Sequence, residues 1–204
     1  IEKCSFIGNS CTNTTNTGGG AIVARATQTA GPCNVKIINS TFANNTSAQT
    51  GGAILCSVQS SSNFTANLTA INCTFTGNQG EGAITVFVNS NGSANVYLVN
   101  SLVVNNINVT GDAYSDLVET KSGTATGSVL IDPNYVIYSQ ASETINFVDK
   151  HCIKVDDPET EDIFKGGLET FGTDKKRPQY VTYNGFPIVP ISSSSIARGA
   201  GTAT

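Results

Sequence analysis

Residues 39–55 read NSTFANNTSAQTGGAIL. Their Asn, Ser, Thr and Gly suit a flexible linker, while Phe42 and the run Ala53-Ile54-Leu55 look like fragments of a core. The rest of the chain decides between a spacer and a structure that needs few apolar residues per unit of length.

The decision comes from internal repetition. NVKIINSTF (34–42), NLTAINCTF (67–75) and NVYLVNSLV (95–103) share one pattern, and each leads to an Asn three residues after its last position: Asn45, Asn78 and Asn106. An earlier copy, CSFIGN, supplies Phe6 and Asn9. A second element follows each copy: GGAIV (19–23), GGAIL (51–55), EGAIT (81–85) and the degenerate GDAY (111–114). Each unit of about 30 residues thus holds two short β-like pieces and an FxxN corner, and units this small bury an apolar face only by stacking. In NVKIIN, Val35, Ile37 and Asn39 fall on one strand face and Asn34, Lys36 and Ile38 on the other. The spacing lacks the LxxLxLxxN of leucine-rich repeats, and no long 3.6-period segment precedes residue 114. The pattern predicts an all-β, right-handed, single-stranded parallel β-helix of about six coils. Gly51 and Gly52 are read as corner residues, and Asn39, Asn72 and Asn100 as a stacked amide ladder inside a turn.

FxxN paired with GGA[ILV] resembles the repeat of the polymorphic outer membrane proteins, which are surface β-helical passenger domains, and of related bacterial and protist surface proteins. The match covers residues 4–114. It implies an extracellular or cell-surface location and a structural or adhesive role. The ending, with Tyr183-Asn184-Gly185, Pro190 and Ser194 through Gly201, resembles the closing segment of many bacterial β-helix proteins, with Ser195 where Pro is usual and Arg198 where Asp is usual.

Charge divides the 204-residue chain. Residues 1–111 hold only Glu2, Lys3, Arg25, Lys36 and Glu81, and the other 21 charged residues follow. Regular coils are therefore expected over 1–114 and irregular ones over 115–149, with strand-like runs at SDLVET (115–120), GSVLID (127–132) and ETINFVD (143–149). Residues 150–204 are expected to form a loop-rich cap with a short helix around Glu161 to Lys165. The net charge of −4 argues against a nucleic-acid partner. No apolar run is long enough to span a membrane. Aligning Cys4-Ser5-Phe6 with Ser40-Thr41-Phe42 puts Ile1 opposite Ile37, in mid-coil. One consequence of an open coil is end-to-end self-association into a filament by β-augmentation.

Catalytic signals are weak. A polysaccharide lyase, the enzymatic alternative, needs charge aligned across successive coils, and five scattered charges cannot supply it. The compact group Asp112, Asp116, Glu119 and Lys121 includes calcium-type oxygen ligands, yet at a spacing generic for a solvated turn. His151 and Cys152 are adjacent, so on a strand they face opposite ways. No catalytic residue, metal or cofactor is predicted. The alternative of a carbohydrate-binding β-helix rests on Tyr97, Tyr114 and Tyr135 as potential stacking platforms. Cell-surface glycans are the partner class that this reading implies.

Cys4, Cys11, Cys33, Cys56, Cys73 and Cys152 contain no CxxC and fit up to three disulfides of unassigned pairing in an oxidising compartment. Among nine N-x-[ST] sequons, Asn13, Asn45, Asn63, Asn91 and Asn108 lie in expected loops and are the glycosylation candidates, marking a glycoprotein surface.

Overall fold

A computed structural model describes residues 1–14, 18–59, 62–157, 163–165, 167–173, 175–179, 181–183 and 186–197. It is a parallel β-solenoid with three sheets along its length. Sheet I stacks Cys33–Ile38, Thr65–Ile71, Ser93–Val99 and Ser128–Asn134. Sheet II stacks Ser5–Ile7, Thr41–Ala43, Thr74–Thr76, Leu102–Val104, Ile137–Tyr138 and Ile153–Lys154. Sheet III stacks Ile22–Ala26, Ile54–Val58, Ile84–Val88 and Leu117–Lys121. Two sheets of four strands make about four full turns rather than six, with partial turns of sheet II at either end. The register locks equivalent residues one above another, so Phe6, Phe42 and Phe75 stack with centroids 4.7 and 4.8 Å apart. That column, with Leu68, Val96 and Leu98 of sheet I and Ile54, Ile84 and Leu117 of sheet III, fills the interior.

Two left-handed corners shape each turn. The first, between sheets I and II, is occupied by Lys3, Asn39, Asn72, Asn100, Tyr135 and His151, with φ of 48–54°. Asn tolerates this conformation because its short polar side chain hydrogen-bonds locally. The second follows sheet II at Gly8, Asn44, Gly77 and Asn105. The GGA segment is selected for space rather than for positive φ, because a Cβ at Gly51 would run into the Ile54 carbonyl oxygen.

The amide ladder exists, but in a different column from the one expected. Asn39 and Asn72 are exposed at their corner and Asn100 is half-buried, because the left-handed turn reverses the strand's in–out alternation. The interior rungs are Asn45, Asn78 and Asn106, all fully buried, with exposed Asn9 at one end. Each rung donates its backbone N–H and its Nδ2–H to the Oδ1 of the next: 3.0 and 2.8 Å from Asn9 to Asn45, 3.0 and 2.9 Å from Asn45 to Asn78, 3.0 and 2.8 Å from Asn78 to Asn106. The Nδ2 groups also donate to the carbonyls of Phe6, Phe42 and Phe75. Asn45, expected in a loop as a glycan acceptor, is thus a core residue.

The fourth coil departs from the expected alignment. Ile84 pairs with Leu117, so the counterpart of EGAI is Tyr114-Ser115-Asp116-Leu117, and GDAY falls largely in the preceding loop. ETINFVD forms no strand and instead closes the end of the barrel. Gln140 accepts from Asp116 and Leu117, Ser142 donates to Leu117, Ile145 enters the core, and Phe147 stacks on Tyr138 at 4.2 Å.

Among the described residues after 150, Ile153–Lys154 add a last strand to sheet II, and those from Val155 onward flank the barrel. Val155, Ile163, Phe164, Val189 and Ala197 pack on Leu102, Val104 and Ile137, the outward side of sheet II. The antiparallel hairpin of Leu168–Phe171 and Lys175–Pro178 is fixed by Thr173 N–H on the Gly111 carbonyl, 3.0 Å, and by Asn105 Nδ2 on the Lys176 carbonyl, 3.3 Å. No helix occurs among the described residues: Ile163–Lys165 make a bridge to Ile191 and a turn, while Glu161 lies outside them. Asn184, Gly185 and 198–204 of the closing motif also lie outside the described residues.

Removing one interior rung strands several buried groups at once, each costing about 1–3 kcal/mol. Asn78→Ala is expected to lower stability by about 3 kcal/mol or more, whereas Asn72→Gly, at an exposed corner with φ of 53°, changes it by less than about 1 kcal/mol. Urea unfolding of the two variants checks the contrast.

Candidate recognition surface

The four charged residues closest to a catalytic group are dispersed by the fold. Asp116 occupies the small interior position held by Ala53 and Ala83 in the preceding coils and is fully buried. Its Oδ1 accepts the backbone N–H and Nδ2–H of Asn106 at 3.3 and 2.8 Å. Its Oδ2 accepts from Ser139 N, Ser139 Oγ and Gln140 N at 2.7, 2.6 and 2.8 Å. A carboxylate only accepts, so it ends a ladder whose amides all donate in one direction. Burial raises the Asp116 pKa to about 6, against the lowering effect of the Ser139, Asn106 and Gln140 hydrogen bonds. Asp112 is exposed, accepting from Asn108 Nδ2 and Thr110 Oγ1, both at 2.7 Å, and these bonds lower its pKa. Glu119 accepts from Ile131 N–H at 2.5 Å and Thr144 Oγ1 at 2.7 Å, joining sheet I to the end plug. Lys121 is exposed at the end of its strand. Each carboxylate serves local structure, and among the described residues no three His, Cys, Asp or Glu side chains lie together as metal ligands.

His151 stacks on Tyr135 at 4.7 Å, while the Cys152 thiol donates to the Lys150 carbonyl, so the adjacent pair makes no nucleophile and base. The six cysteines are free thiols. Cys56 and Cys73 face the interior, where burial pushes the Cys56 thiol up to about 12 and raises Cys73. Cys4 and Cys73 share a column with Ser40 between them, a separation of about 9–10 Å that no disulfide spans.

Exposure re-sorts the sequons. Asn13, Asn63 and Asn91 are exposed as expected, and so are Asn39 and Asn72. Asn108 is half-buried, its Oδ1 accepting from Gly111, Asp112 and Ala113 backbone N–H groups and its Nδ2 committed to Asp112.

The outward face of sheet I is an organised polar surface. Its columns run parallel to the solenoid axis: Thr65, Ser93 and Ser128, then Asn34, Asn67 and Asn95, then Lys36, Thr69, Tyr97 and Asp132, then Ile38, Ile71 and Val99. The Asn column is a second, outer ladder with Nδ2–Oδ1 distances of 2.9 Å on both steps. Tyr97 is exposed in the adjoining column, whereas Tyr114 is held by the flanking hairpin, its hydroxyl accepting from Lys176 N–H at 3.3 Å. Asp132 is ion-paired with Lys150 at 2.6 Å. The face is flat, nearly neutral, and striped with amides, hydroxyls and branched aliphatics.

A carboxyl whose folded pKa lies above its ordinary 3.8 is more stable in the fold when protonated. Asp116 therefore contributes most below about pH 4, and that contribution declines as pH rises to about 6, by roughly 3 kcal/mol. The urea midpoint is expected to rise when pH is lowered from 7 to 5. In Asp116→Asn that rise shrinks while stability at pH 7 falls, because an amide NH₂ would face the Ser139 and Gln140 N–H donors.

No match was found among curated proteins or solved structures. Residues 39–57 match the repeat of the Chlamydia polymorphic membrane proteins, and in the structure this same segment runs from the first corner through sheet II to sheet III. The chain is a parallel β-solenoid in which the segment 39–57, with its FxxN and GGA[ILV] elements, is similar to the polymorphic membrane protein repeat.

Proposed function

We propose that the chain is a non-catalytic, surface-displayed adhesive module that presents the outward face of sheet I to carbohydrate on an opposing surface. The observation that carries this reading is the division of labour among polar residues. The candidate acids are consumed by ladder, loop and plug, while Asn34, Asn67, Asn95, Thr69 and Tyr97 form an ordered array open to solvent. Amides and hydroxyls both donate and accept, as sugar hydroxyls do, and the neighbouring Ile38, Ile71 and Val99 column suits sugar C–H faces. The match to a polymorphic membrane protein repeat supports display at a cell surface. Head-to-tail stacking of copies would first have to displace Ile145 and Phe147 from the closed end, so the module is read as one unit of a surface, not as a filament protomer. Exposed sequons at Asn13, Asn39, Asn63, Asn72 and Asn91 are the positions where a glycosylating host would place sugar.

Beads coated with the full chain are expected to attach saturably to cells and to immobilised polysaccharides without releasing new reducing ends. Asn67→Ser with Tyr97→Ser is expected to reduce attachment several-fold at unchanged thermal stability. Cleavage of any polysaccharide in the panel would overturn the non-catalytic reading, and attachment indifferent to the double variant would remove sheet I from it.

A further inference from the structure

The column Lys36, Thr69, Tyr97 and Asp132 on the outward face of sheet I begins with a cation and ends with an anion. Three strand steps separate the two charges, about 14 Å along the solenoid axis. Lys36 is exposed, and its ammonium forms no ion pair among the described residues. Asp132 meets Lys150 through Oδ1 at 2.6 Å, which leaves Oδ2 to accept from a second cation. We propose that this face pairs with the same face of a second copy of the chain, the two solenoids lying antiparallel. The twofold axis runs along the strands, midway between Thr65–Ile71 and Ser93–Val99.

That symmetry makes the face complementary to itself. It keeps every column over its own counterpart and exchanges the first strand with the fourth and the second with the third. Lys36 of each copy then meets Asp132 of the other, so one favourable contact forms twice. Asn67 meets Asn95, amide against amide, and Thr69 meets Tyr97, hydroxyl against phenol. Ile71 meets Val99, so apolar stays on apolar. The unlike pairs, Asn34 with Leu130 and Ile38 with Asn134, fall on the outer strands, where water reaches the rim. Rotation about the solenoid axis instead would set the Ile71 and Val99 column on the Thr65 and Ser93 column. It would also leave Lys36 with no anion opposite.

Area sets the strength. Four strands about 4.8 Å apart and up to seven residues long give a face of roughly 450 Å², or about 900 Å² for the pair. That is less than the roughly 1,200 Å² at which stable complexes begin, so two free molecules pair weakly and reversibly. Many copies displayed on opposing surfaces would add their contacts, because each bond formed raises the effective concentration for the next. The pairing covers the face read above as carbohydrate-binding, and it does not depend on that reading.

Sedimentation velocity of the full chain from micromolar to millimolar concentration, at low and high salt, tests the pairing. The parent is expected to dimerise reversibly and to dissociate as salt screens the Lys36–Asp132 contacts. Lys36→Glu sets like charges opposite each other and should weaken self-association about tenfold, and Asp132→Lys should do the same. Mixed together, the two variants restore opposite charges at both contacts. They should therefore associate with each other as well as the parent does with itself. Circular dichroism and melting temperature should stay parental, because Lys36 is exposed and the Asp132–Lys150 pair lies at the surface. The Lys36 side chain makes no ion pair or hydrogen bond among the described residues, so Lys36→Glu is decisive by itself. A parent that stays monomeric at millimolar concentration overturns the pairing. So does a dimer that persists in Lys36→Glu, or a mixture that associates no better than its parts. None of these measurements uses a sugar, so the pairing and the carbohydrate reading fail separately.

Discussion

Directional hydrogen bonding inside the FxxN corner is the constraint on which the rest of the solenoid depends. A chain that turns inward at every coil buries backbone groups that have no strand partner, and burying them unsatisfied is costly. The Asn45, Asn78 and Asn106 side chains answer this by accepting from one coil while donating to the next and to the Phe carbonyls. Because every amide points the same way, neighbouring dipoles reinforce one another along the column. The ladder also fixes register. A slip of one residue between coils would separate the Asn column and expose the Phe6, Phe42 and Phe75 stack together.

An aligned column of this kind needs an end, and Asp116 provides it. The last rung, Asn106, points its NH₂ toward the closed end, and an acceptor without donors is the group that matches there. A further Asn would set its NH₂ against the N–H groups of Ser139 and Gln140. Chain path and side chain agree at this point. Gln140 and Ser142 pair directly with the Leu117 strand, so the next coil has no FxxN corner, and the side chain that fills the vacated interior position comes from the coil above. The carboxylate is buried for architectural reasons, which is why it is unavailable as a calcium ligand or a general acid.

Much of this was legible in the residues, and what was not has identifiable physical causes. The parallel stack and its two recurrent elements follow from spacing alone, since Phe and Gly-Gly-Ala recur at fixed distances. The choice of ladder column did not follow. Val35 and Ile37 point inward, and simple alternation carries Asn39 inward with them, but the left-handed turn at Asn39 breaks that parity. Asn45 was hidden because its neighbourhood, NNTSAQT, is polar throughout and its burial comes from adjacent coils, not from its own segment. ETINFVD has the alternation of a strand, yet beneath the last coil its apolar residues had an exposed interior to fill. The outward side of sheet II did carry a readable signal. Ser5, Thr41 and Thr74 give way to Leu102, Ile137 and Ile153 along one column, marking where the flanking segment lies.

Inward columns in such a fold are tied to one another through register, so a change in one coil disturbs its neighbours above and below. Outward columns are coupled more loosely, by side-chain hydrogen bonds such as the Nδ2–Oδ1 steps of Asn34, Asn67 and Asn95, Ser128 to Ser93 and Arg25 to Ser57. Surface chemistry can therefore vary coil by coil while the core repeats, and recognition can be distributed along the length of the molecule. The corners are the points where the two demands meet. Asn72 and Asn100 satisfy the backbone by accepting a left-handed conformation, and that same conformation turns their amides outward. Asn is thus the residue that can fold the coil at a left-handed corner and still present a polar group outside the barrel.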